Sequence, residues 1–527
     1  MKTKIGFFTA FLFFLFLAIN LKAQQPTFTK VYFDPAGSAQ GYAIIKTFDQ
    51  NYLIAGEKDL KGLVMKLDQS GSILWSKKIG EFNNTRFNCV TATHDSCFVL
   101  AGISPDAITG NHQILCVKVN ATGDTIWNRE INMGLSSVAL SIELTNDHGF
   151  ILCGCSSQDI TPLSEIIAVK LDSSGNISWS SILSAGNYTN YAYSIKQTSD
   201  GGYIMIGDLD NSPPYSASAC LIRLTANGTI SWAKKVYGSD ADYYSGFDVV
   251  ITPTGYLCYL NNEINGYVLL KTDFYGNFLW SRKFDAYTPG PDPALPRPKL
   301  RPTSDGGFVF LTTGWGGEPL IKIDSLGNFL WVKIMMAISS DVIESDDHGL
   351  LFLGNGPIMG VKSNMIYRPQ IGVIKTDSLG NSVGCVADMM FTTETMTLNI
   401  APITCTVTTG GSSMTSSHPE DTNTTLSTFD GCVDITGGTT EKKSDEAGFS
   451  ISPNPSDGHF QIMISKPDNL AIRTIEIYNV MGEMIYRTFT PVSDRLPIDL
   501  SSRPDGIYYV KALIHNKICS QKILISR

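Results

Sequence analysis

The feature that most constrains this chain is a three-part marker that returns in the same phase along most of its length: a basic residue, a turn glycine and a tryptophan. Over Leu221–Gly238 it reads L-I-R-L-T-A-N-G-T-I-S-W-A-K-K-V-Y-G. The basic position is Lys66, Lys118, Lys170, Arg223, Lys271, Lys322 and Lys375, and the glycine is Gly71, Gly123, Gly175, Gly228, Gly276, Gly327 and Gly380. The tryptophan is Trp75, Trp127, Trp179, Trp232, Trp280 and Trp331; in the seventh copy Gly384 stands in its place. Successive tryptophans lie 48 to 53 residues apart. That is the length of a four-stranded propeller blade, not of a helical or leucine-rich repeat.

A second marker falls between the tryptophans: T-S-D-G-G-Y-I-M-I-G at Thr198–Gly207, with relatives at Thr47, Thr93, Thr145, Thr252, Thr303 and Ser345. A turn between two apolar runs is a hairpin, so each unit is expected to give four strands. In the fourth unit these are Ala192–Thr198, Tyr203–Gly207, Ala219–Thr225 and Thr229–Tyr237. The segment Phe28–Phe33 matches Trp232–Tyr237, a fourth strand without its first three, while the seventh copy lacks a good fourth strand. An unpaired edge invites aggregation. The expected fold is therefore all-β, a seven-bladed β-propeller closed by the N-terminal strand, followed by a small C-terminal β-sandwich.

The repeated tryptophan is expected to pack between neighbouring blades. The repeated cation is expected to lay its stem on apolar surface and meet the aspartate two residues on, as Lys66 with Asp68. Strand alternation puts the one-to-two and three-to-four turns on one rim and the variable connections on the other, which makes the variable rim the expected binding face. Its candidate ligand-binding residues are Trp315, the one tryptophan outside the repeat phase, with Tyr188, Tyr191, Tyr215, Tyr243 and Tyr244, whose flat rings suit a sugar face or a protein partner. His148 and His348 fall where other copies have a turn glycine and read as turn residues.

No G-x-S-x-G elbow, H-E-x-x-H pair or calcium loop occurs, and no catalytic residue, metal site or cofactor is assigned. The carboxylate pairs Asp208 with Asp210 and Asp240 with Asp242 read as solvated loops. A formal charge of −9 offers no broad attraction for nucleic acid. Lys2, Lys4, the apolar run Ile5–Ile19 and Leu21-Lys22-Ala23 read as a signal peptide over residues 1–23, with no later membrane span. Eleven cysteines in an exported chain leave at least one unpaired. Cys153 and Cys155 read as packed apolar groups, and Cys385, Cys405 and Cys432 as the disulfide candidates.

The string L-D-S-S-G-N-I-S-W at Leu171–Trp179 resembles the repeat of quinoprotein-type propellers, whose D-x-x-T-G-x-x-x-W pattern carries a tryptophan docking joint. That resemblance implies a propeller over residues 24–390; the family's quinone and calcium ligands have no counterpart here. Residues 391–447 read as a Thr/Ser/Gly-rich linker with room for extra strands. Residues 448–527 carry P-N-P at Pro453–Pro455, I-Y-N-x-x-G from Ile477, D-L-S from Asp499 and G-I-Y-Y-V from Gly506. In that order they closely resemble the type IX secretion C-terminal sorting domain, type A. The resemblance implies export through the periplasm, engagement of the type IX machinery by residues 448–527, and release or attachment at the cell surface. The function these readings favour is a non-catalytic binding or adhesion module for a glycan or surface protein. The alternative is a surface enzyme, a polysaccharide hydrolase or lyase or a quinoprotein-like oxidoreductase, with its site on the variable rim.

Overall fold

In every repeat, short runs of branched and aromatic residues alternate with three-residue turns, so the backbone is satisfied by hairpins laid side by side. In the fourth repeat the strands are Asn190–Gln197, Tyr203–Asp210, Ala217–Leu224 and Ile230–Tyr237, with Tyr203 opposite Leu224 and Arg223 opposite Trp232. The structure is a computed structural model. It describes residues 27–159, 163–184, 189–210, 217–237, 244–262, 266–284, 299–312, 318–335, 338–355, 370–382, 386–388, 393–395, 398–414, 421–430, 449–464, 472–479, 484–489, 495–514 and 517–526. The signal segment thus lies outside the described residues. Among these there is no helix, and the chain divides into two compact units, residues 1–436 and 437–527.

The first unit holds seven antiparallel five-stranded sheets, numbered here in chain order from their first strands: Ala39–Lys46, Arg86–Ala92, Ser136–Leu144, Asn190–Gln197, Tyr244–Thr252, Leu300–Pro302 and Ile338–Glu344. Sheet seven takes Leu350–Asn355 and Ile371–Lys375 from the end of the repeats and then Phe28–Phe33 from the start, with Phe28 opposite Lys375 and Tyr32 opposite Ile371. The first strands of consecutive sheets touch, and that of sheet seven touches that of sheet one. Apolar clusters sit at the same junctions. Ile44, Ile54 and Met65 of sheet one pack with Tyr32, Leu353 and Val373 of sheet seven just as Val99 and Cys116 of sheet two pack with Leu152 and Val169 of sheet three. The arrangement is consistent with a propeller.

The fifth strands all come from residues 386–430. Val386–Asp388 pairs with sheet six, Thr393–Thr395 with five, Asn399–Pro402 with four, Thr406–Thr408 with three, Ser412–Met414 with two and Asp421–Asn423 with one. Ser427–Asp430 then pairs with the N-terminal strand in sheet seven, so Phe28–Phe33 is held on both edges. Most of these strands fall in the segment read from sequence as a linker with room for extra strands, and together they form a belt that visits the sheets in reverse chain order and covers the outer edge of each fourth strand. Such an edge otherwise presents unpaired N–H and C=O groups.

Each tryptophan lies against the turn glycine of the next sheet. A Cβ on Gly123 would fall 2.6 Å from Trp75, one on Gly228 2.6 Å from Trp179 and one on Gly380 2.7 Å from Trp331. The glycine is required twice over, because these turns also hold φ near +80°, as at Gly123 (+83°) and Gly228 (+81°). Indole N–H groups fix the joint: Trp75 Nε1 donates to the Ala121 carbonyl (3.2 Å) and Trp179 Nε1 to that of Ala226 (3.1 Å).

The repeated cation meets a different partner from the one expected. Lys66 Nζ donates to Asp49 (2.7 Å), Lys118 to Asp95 (2.7 Å), Lys170 to Asp147 (2.8 Å), Arg223 to Asp200 (2.5 Å), Lys322 to Asp305 (2.8 Å) and Lys375 to Asp347 (2.6 Å). These aspartates sit in the first hairpin turn, two residues after the Thr or Ser marker, and the cation reaches them across the intervening strand. Asp68 instead accepts the backbone N–H groups of Ser70 and Ser72 in its own turn, at 2.8 Å each. In sheet five the turn is one residue shorter and carries no aspartate, and Lys271 donates to Thr252 Oγ1 and the Thr272 carbonyl. His148 and His348 hold φ of +62° and +63° in these turns, the conformation Gly201 adopts at +81°.

Cys153 and Cys155 are buried free thiols. Cys405, a disulfide candidate from sequence, is also free and packs beside the cluster joining sheets three and four, so the cysteine serves there as an apolar side chain. Cys385 and Cys432 lie outside the described residues.

The second unit is a small sandwich. Phe449–Ser452, His459–Ile464 and Arg495–Asp499 form one sheet; Met484–Phe489, Ile472–Asn479, Gly506–Ile514 and Lys517–Ile525 form the other. Phe460, Ile462 and Ile498 from the first meet Ile475, Ile477, Val510 and Ile523 from the second in a shared core. The strands alternate inward and outward, so one face of each sheet is apolar.

Candidate functional site

Six of the seven first strands carry a register shift at the same place, between Gly41 and Ala43, Phe87 and Cys89, Ala139 and Ser141, Ala192 and Ser194, Gly246 and Asp248, and Ser339 and Asp341. A bulge re-aims the side chain that follows it. Here Ala43, Cys89, Ser141, Ser194, Asp248 and Asp341 all line one cavity of about 640 Å³, which Lys299 completes from sheet six. The residues two further along, including Ile45, Thr91, Glu143, Arg301 and Ile343, line it as well. The cavity runs toward the hairpin turns, where Lys46 and Glu344 stand.

Its wall is divided. Sheets one and two supply Ala43, Ile45, Cys89, Val90 and Ala92, while sheets three to seven supply every charge but Lys46. Arg301 donates to both oxygens of Asp341 (2.7 and 2.9 Å). Lys196 pairs with Glu143 at 3.0 Å. Both buried aspartates also tie sheets together: Asp248 accepts the N–H of Leu300 on sheet six (3.0 Å), and Asp341 accepts that of Ile44 on sheet one (3.2 Å). Burial favours the neutral form of Asp248, but the cations Lys299, Arg301 and Lys196 hold its carboxyl below the usual range. Burial works against the Arg301 and Lys196 charges, yet Asp341 and Asp248 for the first and Glu143 and Asp248 for the second keep them firmly protonated.

Asn88 and Lys299 of this wall have few close partners among the described residues. Asn88 is 1% exposed and its Nδ2 donates to the Ala139 carbonyl (2.8 Å), which fixes the amide orientation; among the described residues its Oδ1 has no hydrogen-bond partner. Lys299 Nζ donates to the Tyr193 carbonyl (3.3 Å), and among the described residues no carboxylate lies within ion-pair distance of it. Cys89, between them, is no nucleophile: burial pushes its thiol up to about 12 although Lys299 opposes the shift.

Of the aromatic residues singled out from sequence, Tyr191 and Tyr244 fall within the described residues, and neither lines this cavity. Tyr244 is fully buried among Ile204, Leu221 and Val249 at the junction of sheets four and five, because it begins a strand and is not in a loop. Its ring packs into that cluster. Tyr191 is half-buried and stacked on Tyr193, with centroids 5.8 Å apart and planes at 21°. Trp315, Tyr188, Tyr215 and Tyr243 lie outside the described residues. Asp208 is buried and accepts the Gly246 N–H (2.7 Å), a tie between sheets four and five. Sequence reasoning missed the cavity charges because no two of them share a motif.

The quinone and calcium that the repeat's resemblance would imply do not fit these donors. Asp248 and Asp341 are committed to backbone N–H groups and Arg301, and among the described residues no three His, Cys, Asp or Glu converge as a metal site.

Fold and site together define an all-β protein of seven repeated sheets around a charged cavity, followed by a separate β-sandwich. Residues 450–526 match the family model of the secretion system C-terminal sorting domain. Such a domain engages the type IX machinery and marks proteins carried to the cell surface or the extracellular space, and that is the destination of this chain. No curated protein matches the chain. Among solved structures, a protein of unknown function from Bacteroides caccae is 14% identical with a TM-score of 0.35, covering 58% of this chain and 93% of its own. A streptogramin B lyase is 13% identical with a TM-score of 0.42, covering 66% of this chain and 98% of its own. A eukaryotic initiation factor is 10% identical with a TM-score of 0.32, covering 88% and 96%. Among the described residues no helix is long and apolar enough to cross a membrane.

Proposed function

We propose that this chain is an exported binding module: a signal peptide over residues 1–23, a seven-bladed propeller over 24–390 closed by its N-terminal strand, the belt around it, and the sorting domain that delivers it. Three observations support closure. The first strand after the signal pairs with the last repeat, sheet seven touches sheet one, and Phe28 takes the tryptophan's place at that junction. The tryptophan joint is read as the docking device of quinoprotein-type repeats, used without their cofactor.

The observation that carries the binding role is the divided cavity, where seven first strands converge on buried ion pairs and on the Asn88 Oδ1, which has no hydrogen-bond partner among the described residues. Burying unpaired polar atoms is unfavourable unless something meets them. The ligand is a surface glycan or protein group small enough for its tip to enter. A glycan array read with the secreted chain and with an Ala43→Trp variant, which fills the cavity, tests this. Binding abolished by the tryptophan supports the reading; binding that survives it places recognition elsewhere.

A further inference from the structure

Charge balance and one buried acceptor together narrow the ligand of the cavity, an inference that rests on the binding role above. Four carboxylates in the wall, Glu143, Asp248, Asp341 and Glu344, stand with four cations, Lys46, Lys196, Lys299 and Arg301. Each is already engaged. Arg301 pairs with Asp341, Lys196 with Glu143 and Lys46 with Asp346. Lys299 leads the cations that keep Asp248 charged against its burial, and Glu344 accepts the N–H (2.6 Å) and the hydroxyl (2.7 Å) of Ser304. A ligand with a net charge would enter this wall without a counter-ion, and burying an uncompensated charge is costly. A neutral ligand escapes that cost and can still hydrogen-bond to the carboxylates and to the hydroxyls of Ser141, Ser194 and Thr91.

Asn88 stands at the seam of the divided wall. It belongs to sheet two with Cys89, Val90 and Ala92 of the apolar half, and its Nδ2 donates to Ala139 of sheet three (2.8 Å), where the charged half begins. Its Oδ1, without a partner among the described residues, calls for a donor beside aliphatic surface. A sugar hydroxyl supplies the donor but turns its own lone pairs toward that surface, whereas an amide N–H only donates and, in an acetamido group, arrives with a methyl. We propose that the cavity binds an N-acetylhexosamine, free or as the terminal unit of a glycan, with its acetamido N–H donating to Asn88 Oδ1, its methyl on the apolar half and its ring hydroxyls toward sheets three to seven. The volume of about 640 Å³ is that of an ordinary small-ligand pocket.

Titration calorimetry of the whole chain tests this by comparing N-acetyl-D-glucosamine and N-acetyl-D-galactosamine with D-glucose and D-galactose, with the cationic D-glucosamine and with the anionic D-glucuronate. The better N-acetyl sugar should bind at least about tenfold tighter than its parent hexose, the worth of one buried acceptor satisfied, and tighter than either charged sugar. Its 2-O-acetyl counterpart, which keeps the methyl and the carbonyl but lacks the N–H, should fall to the level of the hexose. Asn88→Leu should bring N-acetyl sugar and hexose to the same affinity, and Lys299→Gln, which leaves one carboxylate in excess, should raise D-glucosamine relative to the N-acetyl sugar. Unchanged thermal unfolding of each variant separates loss of binding from loss of fold, and the ester comparison needs no variant. Equal binding of N-acetyl sugar and hexose, tighter binding of a charged sugar by the unaltered chain, an ester that binds as well as the amide, or a D-glucosamine affinity indifferent to Lys299→Gln overturns the ligand class. If a plain hexose binds as well and Ala43→Trp abolishes it, the binding role stands and this inference falls; if no probe binds and no array signal responds to Ala43→Trp, both fall.

Discussion

Phe28 lies over Gly71 as six tryptophans lie over the turn glycines of the sheets that follow them: a Cβ on Gly71 would sit 2.7 Å from Phe28 Cε2. The ring belongs to sheet seven and the glycine to sheet one, so the repeated joint also occurs where the two ends of the repeat array meet. Two residues on, Lys30 carries its stem over Gly71, as Lys333 does over Gly380. Phe28→Ala is expected to cost about 2 kcal/mol, less than the ~3–5 kcal/mol of a fully buried ring because Phe28 is half-buried, and Phe28→Trp to cost much less, since every other sheet accommodates an indole there. Urea unfolding followed by tryptophan fluorescence measures both. Equal effects of the two substitutions would argue against a shared joint.

The hairpin-turn aspartates make stability fall in acid. Burial raises their pKa, but the Lys partners and the Thr hydroxyls outweigh it and hold Asp49, Asp95, Asp147 and Asp305 at about 2. In the unfolded chain they titrate near ~3.9. A depressed carboxylate pKa stabilises the fold fully above the unfolded value and loses that contribution as pH drops through the folded one. The melting temperature should therefore be flat with respect to these groups from pH 8 down to about pH 5 and fall steeply between about pH 4 and pH 2. Asp147→Asn should cost about 2 kcal/mol at neutral pH, the scale of a hydrogen bond to a charged group, and flatten the acid limb. A steep limb of unchanged depth in that variant would count against the assignment.

Much of this was readable in the chain. The equivalents of Gly228 and Arg223 mark every unit and those of Trp232 six of the seven, because each repeat needs the same joint, and Phe28 aligns with Trp232 in the sequence. The partner of Lys66 was misread. Counting two residues along a strand finds Asp68 on the same face, whereas the contact runs across the neighbouring strand to Asp49, a relation that sequence spacing does not encode. The belt left almost no signal, because strands such as Thr393–Thr395 and Thr406–Thr408 join through backbone hydrogen bonds and need no apolar period. The cavity was invisible for another reason. Asp248, Lys299 and Asp341 occupy equivalent places in three repeats but differ in type, and their complementarity exists only once the first strands stand side by side.

The belt should govern solubility. A chain ended after Asn381 loses every fifth strand and exposes seven fourth-strand edges, the N-terminal strand among them. It should aggregate on purification, whereas a chain ended after Thr436 should remain monodisperse by light scattering. Equal behaviour of the two would mean that residues 386–430 contribute little to edge protection.

Arg301 and Asp341 should be mutually dependent. Asp341→Ala strands the guanidinium and frees the Ile44 N–H, and a broken buried pair costs about 3–5 kcal/mol. Adding Arg301→Met to it should recover about 1 kcal/mol or more, because the uncompensated charge is gone. Strict additivity in thermal unfolding of the double variant would refute the coupling.

The proposed closure requires the N-terminal strand to lie inside sheet seven, paired on both edges. Hydrogen exchange of the secreted protein, read at the amides of Lys30, Val31 and Tyr32, addresses this directly. If the strand is held between Ile371–Lys375 and Ser427–Asp430, those amides should exchange as slowly as Val373 and Ile374, over hours or longer at neutral pH, on the order expected for core strands. Exchange within seconds, at the rate of an unpaired chain end, would contradict the proposed closure and with it the cavity placed among the seven first strands.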